Sequence, residues 1–541
     1  MILSVIMKQL LVILLVLSSL FSTQLVLAQT PASDPNDPIS RIKDEGMNRS
    51  ELMKTLTYLT DVIGPRLTNS PNFRRAATWT RDELAKSGLV NAHLEPWGPF
   101  GRGWSIKRFS AQVVEPQAFP LIAYPMAWSP GTNGSLSADV VHLDAKNEAD
   151  LAKYKGQLKG KIVLVGGIRE VKAHFEPLGT RWNEFDMLQY SNDQPYPANN
   201  GNFRTAFTPS PVQIEAARFR AARLQFLYDE GVGVLMTPSG GGDGGTIFVQ
   251  SASVPQPFNT PFASRVAPFS KEAKTFPQVV VSVEQFNRIL RMIQGGEKLR
   301  ADVDLSVQFD DGDLMSSHTI AELPGSDLKE EIVMMGAHLD SWHSGTGATD
   351  NGAGVAVMME AARILEALKI KPRRTIRVAL WGGEENAGGS RFYVKEHFGE
   401  MKRESDGKTT LVKGPEYDKL SAYLNLDAGT GKIRGIFLAD NDALRSIFRP
   451  WLEPLRSVGA TTLTINGDWD SDHEWFNQIN LPIVSFIQDE IEYDTRTHHS
   501  NQDVLDRIQP EDLKQAAVVV AAFAYDIAMR NEKLPHKLVK D

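Results

Sequence analysis

Histidine and carboxylate side chains follow short apolar segments in the second half of this sequence, either at once or, for the last pair, after a loop. The segments and the side chains that follow them are 332–337 with His338 and Asp340, 375–381 with Glu384 and Glu385, 420–426 with Asp427, and 483–487 with His498 and His499, and Asp350 closes the glycine-rich loop after the first segment. Apolar runs of this length are typical of buried strands. Open α/β sheets gather the carboxyl ends of their strands at one edge, so we expect these side chains to converge.

The converging groups offer imidazole nitrogen and carboxylate oxygen but no sulfur, because the chain has no cysteine. Two zinc ions that share one bridging carboxylate need about five such ligands and leave room for a water. The five candidates are His338, Asp350, Glu385, Asp427 and His499. Glu384 is then a surplus carboxylate, suited as general base to take a proton from a metal-bridged water that attacks a carbonyl. Asp340 is placed to accept a hydrogen bond from the second ring nitrogen of His338.

Each of these residues also has an ordinary explanation, such as a helix cap or a solvated turn. Their shared position at strand ends, in complementary chemistry, favours a metal site over that explanation. The elements that must position them alternate between strands and helices, which predicts an α/β fold with a mixed, mostly parallel sheet sandwiched by helices. The expected strands are 332–337, 375–381, 420–426, 435–439 and 483–487, and the expected helices are 354–368, 388–397, 442–457, 472–478 and 510–529.

The chain is too long for one ordinary domain, and its amino-acid composition and hydrophobic pattern change within the first half. From about residue 119, short β-type runs alternate with turns rich in glycine and proline, which predicts an inserted β-rich domain. The expected organisation is a signal peptide over 1–28, a first catalytic segment over 29–118, the insert over 119–304, and the main catalytic segment over 305–541.

The N-terminus and the charge balance predict a location and exclude some partners. Lys8 precedes the apolar run 10–21, and Ala28 offers a cleavage point, as in a secretory signal peptide. We therefore expect a secreted or periplasmic protein without a stable membrane anchor, since the run is shorter than the ~20 residues of a membrane span. A net charge of -8 argues against a nucleic-acid partner. The sequence makes no prediction of oligomeric state.

Five phrases of the sequence together resemble a known enzyme family. GAHLDSW, GATDNGAG, WGGEEN, LNLDAG and HHSNQDVLD stand in the order and spacing of the secreted co-catalytic di-zinc exopeptidases. That family groups leucyl-type aminopeptidases with glutamate carboxypeptidases and a plasma dipeptidase. The resemblance covers residues 40–529. The insert is similar to a protease-associated domain, through KGKIVLVGG at 159–167 and GVGVLMTPSGG at 231–241.

The resemblance implies a role for each candidate. Asp350 would bridge two zinc ions, with a cis peptide bond to Asn351. His338 and Asp427 would complete the coordination of one zinc ion, and Glu385 and His499 that of the other. Glu384 would be the general base. Asp340 would hydrogen-bond to His338 and hold its ring in place. His499 matches the family's ligand better than His498, because the Ser-Asn-x-Asp that follows it matches the family's phrase.

One position departs from the family pattern. Many members have a tyrosine directly before the last histidine ligand, where it helps to hold the oxyanion, and here that residue is His498. An imidazole can donate a hydrogen bond to a developing oxyanion, so His498 is the candidate, and Tyr493 is the alternative.

The resemblance implies a zinc-dependent exopeptidase with a peptide substrate, and an aminopeptidase is favoured. A dipeptidase or glutamate-carboxypeptidase-like enzyme is the first alternative. A glutaminyl-cyclase-like transferase with a single zinc is less favoured, because the insert and the Asp350–Asn351 pair argue against it.

Overall fold

The computed structural model describes residues 36–194, 210–405, 407–468 and 471–538, so the predicted signal peptide lies outside the described residues. The chain divides into two compact units, Met1–Arg41 and Ile42–Asp541. In the described part of the first unit, the carboxylate of Asp37 accepts a hydrogen bond from the N–H of Ser40 (2.8 Å). The second unit contains both sheets and the candidate site. None of the described helices is long and apolar enough to cross a bilayer.

The described elements are as follows. The strands are β1 (Val90–Trp97), β2 (Gly103–Glu115), β3 (Phe119–Pro120), β4 (Ala123–Pro125), β5 (Ser135–His142), β6 (Ile162–Leu164), β7 (Val234–Pro238), β8 (Gln278–Val281), β9 (Arg300–Asp310), β10 (Ser316–Leu323), β11 (Leu328–His338), β12 (Arg374–Trp381), β13 (Gly399–Arg403), β14 (Thr409–Lys413), β15 (Leu420–Asn425), β16 (Ile433–Phe437), β17 (Thr462–Thr464) and β18 (Ile483–Gln488). The α-helices are α1 (Pro38–Asn48), α2 (Leu52–Thr57), α3 (Pro71–Lys86), α4 (Glu148–Leu151), α5 (Glu184–Ser191), α6 (Pro211–Asp229), α7 (Val283–Gln294), α8 (Ala353–Ala367), α9 (Glu384–Ala387), α10 (Ser390–His397), α11 (Arg445–Leu452), α12 (His473–Gln478) and α13 (Pro510–Met529).

Shorter turns of helix link these elements. Turns of 3-10 type are Ala152–Tyr154, Phe262–Ser264, Tyr417–Lys419, Asp442–Leu444, Glu453–Val458 and Leu505–Arg507, and wider π-type turns are Tyr58–Ile63, Ala348–Gly352 and Tyr493–Thr497.

The larger catalytic sheet has the order β1-β10-β12-β11-β15-β18-β16-β17. The pairs β11–β12, β11–β15, β15–β18 and β16–β17 are parallel. The pairs β1–β10, β10–β12 and β16–β18 are antiparallel. The predicted mixed, mostly parallel sheet is therefore confirmed. The four central strands β12, β11, β15 and β18 run in the same direction, so their carboxyl ends lie at one edge, as parallel pairing requires.

Helices cover this sheet because its strands are apolar on both faces. Ile332 and Met334 of β11 pack on one face with Tyr393 of α10 and Phe476 of α12. The alternate residue Val333, which points to the opposite face, is fully buried. Helices α8 and α13 pack against each other and against β11 and β12. This packing fixes the strand ends that carry the candidate residues.

The second sheet has the order β3-β2-β9-β5-β6-β7-β8-β4. It contains most of the predicted insert, but it also includes β2, which precedes residue 119, and the end of β9, which passes residue 304. The long antiparallel pair β2–β9 runs from Gly103↔Asp310 to Glu115↔Arg300 and so joins the two ends of the predicted insert. The sheet begins and ends outside the predicted limits because these two strands pair over their whole length.

Several predicted elements differ in detail from the observed ones. The expected helix over 442–457 is a continuous helical run that changes type, from a 3-10 turn to helix α11 and back to a 3-10 turn, and Pro450 lies inside α11. The expected helix over 388–397 begins at Ser390, after Gly388 with a φ of 58°. Helix α5 and the β13–β14 hairpin have no counterpart in the sequence prediction. Helix α13 has the predicted bounds, with Pro510 at its first position.

Candidate dinuclear metal site

His338 ends β11 and directs its ring at two carboxylates. Its Nε2 lies 3.2 Å from Oδ1 of Asp350 and 3.2 Å from Oδ1 of Asp427. Its Nδ1–H donates a hydrogen bond to the main-chain carbonyl of Asp340 (2.9 Å). In the neutral ring this leaves the lone pair of Nε2 directed at negative oxygens. Three ligand atoms that converge in this way suit a bound cation.

The second oxygen of Asp350 faces a different pair of side chains. Its Oδ2 lies 3.3 Å from Nε2 of His499, and that nitrogen lies 3.1 Å from Oε2 of Glu385. The two oxygens of one carboxylate therefore belong to two separate groups of ligand atoms. This is the arrangement that a carboxylate bridging two metal ions requires. The structure thus brings all five predicted ligands together.

The electrostatics of the site also fit two divalent cations. Burial, followed by the charge of Asp350, raises the pKa of Glu385 well above its usual value, and its Oε1 is buried without a hydrogen-bond partner. Burial opposes the charged form of His338, but the charge of Asp427 and hydrogen bonds to both carboxylates raise its pKa well above its usual value. Burial lowers the pKa of His499 and so favours the neutral ring that binds metals.

The loop that presents Asp350 is held by hydrogen bonds. The carboxylate of Asp503 accepts from the N–H of Thr349 (2.5 Å) and the N–H of Asp350 (3.2 Å). The peptide bond between Asp350 and Asn351 is cis, as the family resemblance implies. A side chain at Gly354 would place its Cβ 2.5 Å from the carbonyl of Leu426, so only glycine lets α8 begin this close to the end of β15.

Asp340 supports the site through different atoms than expected. The interaction with His338 uses its carbonyl, whereas its carboxylate lies 3.8 Å from the ring. That carboxylate instead accepts hydrogen bonds from the Thr68 hydroxyl (2.5 Å) and the N–H of Glu384 (3.3 Å). Because the hydrogen bond to His338 comes from the backbone, the Asp340 carboxylate positions the turn that carries the two adjacent glutamates.

The two glutamates take different positions. Oε2 of Glu385 contacts Nε2 of His499, a candidate ligand, at 3.1 Å. Glu384 lines the cavity beside the site. Burial raises its pKa well above its usual value; the charge of His338 opposes this shift, and the charge of Asp427 adds to it. The turn that precedes them needs Gly383, whose φ is 89° and whose Cβ position lies 2.4 Å from the ring of Trp97. This geometry matches one metal ligand and one neighbouring proton acceptor.

His498 and Tyr493 both line the cavity. Their rings stack with centroids 4.7 Å apart. Nε2 of His498 lies 4.0 Å from Oδ2 of Asp350, farther than the corresponding atom of His499, which favours His499 as the ligand. His498 is still close enough to Asp350 and His499 for the three to share a cation. Burial lowers the pKa of His498 and raises that of Tyr493.

A cavity of about 330 Å³ opens from the site. One wall is apolar and combines Trp182 and Tyr190 of the insert with Phe437 and Ile487 of the catalytic sheet. Acidic side chains, among them those of Glu490 and Asp494, also line the cavity. The site therefore adjoins a space of the size of one or two amino-acid side chains.

Three residues that support the site were not predicted for that role. Asp503 holds the Asp350 loop, and its place in the SNQD phrase was the available signal. The hydroxyl of Ser471 donates to Oδ2 of Asp427 (2.6 Å). The amide of Gln250 contacts Nδ1 of His499 (2.9 Å) from within the insert, and no sequence signal marks it.

The chain is similar to known peptidases. The profile of Peptidase family M28 matches residues 318–524. Carboxypeptidase Q from Mus musculus is 26% identical over 494 residues, which cover 91% of this chain and 88% of that protein. A Peptidase M28 precursor from Shewanella amazonensis SB2B has a TM-score of 0.63 at 24% identity, covering 93% of this chain and 98% of the other. BSAP, a zinc aminopeptidase from Bacillus subtilis, has a TM-score of 0.53 at 18% identity, covering 89% and 96%.

Proposed function

We propose that this chain, a metallo-exopeptidase whose residues 318–524 belong to peptidase family M28, is a two-zinc aminopeptidase that removes apolar N-terminal residues from peptides. Support for the metals comes from the Asp350 carboxylate, whose two oxygens face the two separate ligand groups. Bound zinc supplies Lewis-acid polarisation of the scissile carbonyl and lowers the pKa of water. The chain's own side chains supply proton transfer and orientation.

In this proposal Glu384 is the general base. Its position on the cavity wall gives its carboxylate access to water and substrate. The proton that it accepts can then pass to the leaving amine. His498, stacked on Tyr493, is the proposed hydrogen-bond donor to the oxyanion.

The cavity chemistry supports recognition of a free α-amine. Glu490 and Asp494 place carboxylates on the cavity wall beside the site, and carboxylates form charge-assisted hydrogen bonds with an ammonium group. The same charges oppose a substrate carboxylate. The apolar wall that includes Trp182 and Phe437 suits a hydrophobic side chain. These acidic groups are the observation that carries the aminopeptidase assignment over a carboxypeptidase.

A peptide panel tests this proposal on the purified full chain. We expect two zinc ions per chain, hydrolysis of a Leu-initiated tripeptide, unchanged hydrolysis after C-terminal amidation, and a loss of about tenfold or more on N-acetylation, since a charge-assisted hydrogen bond contributes ~1.5–3 kcal/mol. Equal rates for the free and acetylated peptides would exclude an aminopeptidase. A requirement for a free carboxylate in a dipeptide would indicate the alternative, a dipeptidase like the relative named carboxypeptidase Q.

Two further predictions stay proposals. We propose that residues 1–28 direct secretion, on the sequence pattern alone. We also propose that the second sheet is a protease-associated domain, supported by the position of its β2–β9 pair within the catalytic chain.

A further inference from the structure

The insert contacts the loop that carries His499 through a short stretch, residues 245–251, here named the clamp segment. The N–H of Val249 donates to the carbonyl of His499 (3.1 Å), and the N–H of Asn501 donates to the carbonyl of Ile247 (3.1 Å). The side-chain oxygen of Asn501 accepts from the N–H of Ile247 (2.7 Å). The clamp segment therefore pairs with the metal-ligand loop by backbone hydrogen bonds from both sides.

This pairing holds His499 in an uncommon backbone conformation. Its φ is 59°, in the left-handed region that residues other than glycine rarely adopt. Such a conformation persists where the surrounding structure determines it. The hydrogen bond from Val249 acts on the carbonyl of this same residue, so the insert fixes the direction in which the ring points.

One side chain of the clamp segment reaches the ring itself. Nε2 of Gln250 lies 2.9 Å from Nδ1 of His499, and the opposite ring nitrogen faces Glu385 at 3.1 Å and Asp350 at 3.3 Å. A neutral imidazole carries one N–H, so these contacts fit a ring that accepts from the Gln250 amide and donates to the carboxylates. To ligate a cation through Nε2, the ring must carry its proton on Nδ1 and needs an acceptor there.

The carboxamide of Gln250 can meet both requirements because it has an NH2 group and an oxygen at similar reach. Rotation of the carboxamide by half a turn about the Cγ–Cδ bond exchanges the positions of its NH2 group and its oxygen. We propose that Gln250 is a positioning residue for His499, and that its amide turns to present Oε1 to Nδ1–H when a metal ion occupies the site. This inference rests on the two-metal site proposed above and adds that the insert helps to form it.

Zinc titration of full-length variants tests the inference, with a chromophoric chelator as competitor. Gln250→Leu removes donor and acceptor, whereas Gln250→Glu keeps only the acceptor. Gln256→Leu is the matched control, because among the described residues the Gln256 amide hydrogen-bonds to the backbone of Val266 and not to the candidate site. The thermal unfolding midpoint of each metal-free variant checks folding.

We expect Gln250→Leu to weaken one of the two zinc ions about ten- to a hundredfold, as loss of a hydrogen bond to a ligating histidine typically does. Gln250→Glu should bind zinc at least as tightly as the wild type, and Gln256→Leu should match it. Equal affinity for Gln250→Leu and the wild type would overturn the inference, as would an equal loss in Gln250→Glu and Gln250→Leu. A wild type that binds no zinc would reject the proposed function itself.

Discussion

Replacing Glu384 and Glu385 one at a time by glutamine distinguishes the proposed general base from the proposed metal ligand. Glu384→Gln keeps the shape of the side chain but removes its ability to accept a proton. Its carboxylate lines the cavity, while the contact with His499 at 3.1 Å belongs to Glu385. We therefore expect Glu384→Gln to retain both zinc ions, and Glu385→Gln to bind one of them more weakly.

The magnitude follows from the role of a general base. Such a group contributes about 10²–10⁴-fold to the rate, or roughly 3–5 kcal/mol of the barrier. Turnover of Glu384→Gln should fall by this factor with little change in KM, because the cavity walls that hold the substrate are unchanged.

The assay combines metal analysis with steady-state kinetics on one Leu-initiated peptide. The two variants differ by one residue in position, so each is the control for the other. A Glu384→Gln protein that loses zinc while Glu385→Gln keeps both ions would reverse the two roles. A Glu384→Gln protein with wild-type turnover would refute the reasoning about the base.

Two further predictions concern stability. Burial disfavours the charged form of His397, but hydrogen bonds to Glu416 and Glu95 outweigh it and raise its pKa to about 9. Because this folded-state pKa lies above the ordinary 6.5, the stabilisation by charged His397 is fully present below pH ~6.5 and is lost as the pH rises through about 9. We expect it to contribute ~2 kcal/mol after allowing for partial exposure of the side chain. A thermal unfolding midpoint that falls over this pH range in the wild type but not in His397→Gln would support this prediction. Arg66 is buried and donates hydrogen bonds to the carbonyls of Leu339, Thr346 and Gly347 at 2.8 Å each. Arg66→Lys keeps the charge but leaves carbonyls unpaired, so we expect the free energy of unfolding, measured by denaturant titration, to fall by about 2–5 kcal/mol. An unchanged midpoint would show that other groups replace these hydrogen bonds.

The catalytic half was predictable to the extent that each element has a local pattern. The apolar runs before His338 and Asp427 are buried strands because few other structures bury consecutive apolar residues of that length. The expected helix over 442–457 is helical throughout, but it changes between 3-10 and α type, and the pattern of apolar residues does not indicate those changes. The limits of the insert stay a prediction, and the pairing of β2 with β9 across those limits is a long-range interaction without a local signal.

The support of the site was less predictable than its ligands. Asp340 was expected to hold His338 through its carboxylate, but the main-chain carbonyl does so. Every residue has a carbonyl, so residue type cannot indicate this interaction. Asp503 appeared in the sequence only as part of a phrase, and its hydrogen bonds to the Asp350 loop depend on how two distant loops meet.

The sequence by itself determined the types and the order of the candidate ligands, because these residues follow apolar segments and because nitrogen and oxygen donors without sulfur restrict the metal chemistry. It did not determine which oxygen of Asp350 faces which group, or that a glutamine 249 residues before His499 contacts its ring. Only the tertiary structure decided these points. The physical reason is that both depend on hydrogen bonds between segments brought together by sheet pairing, and such bonds leave no periodic pattern in either segment.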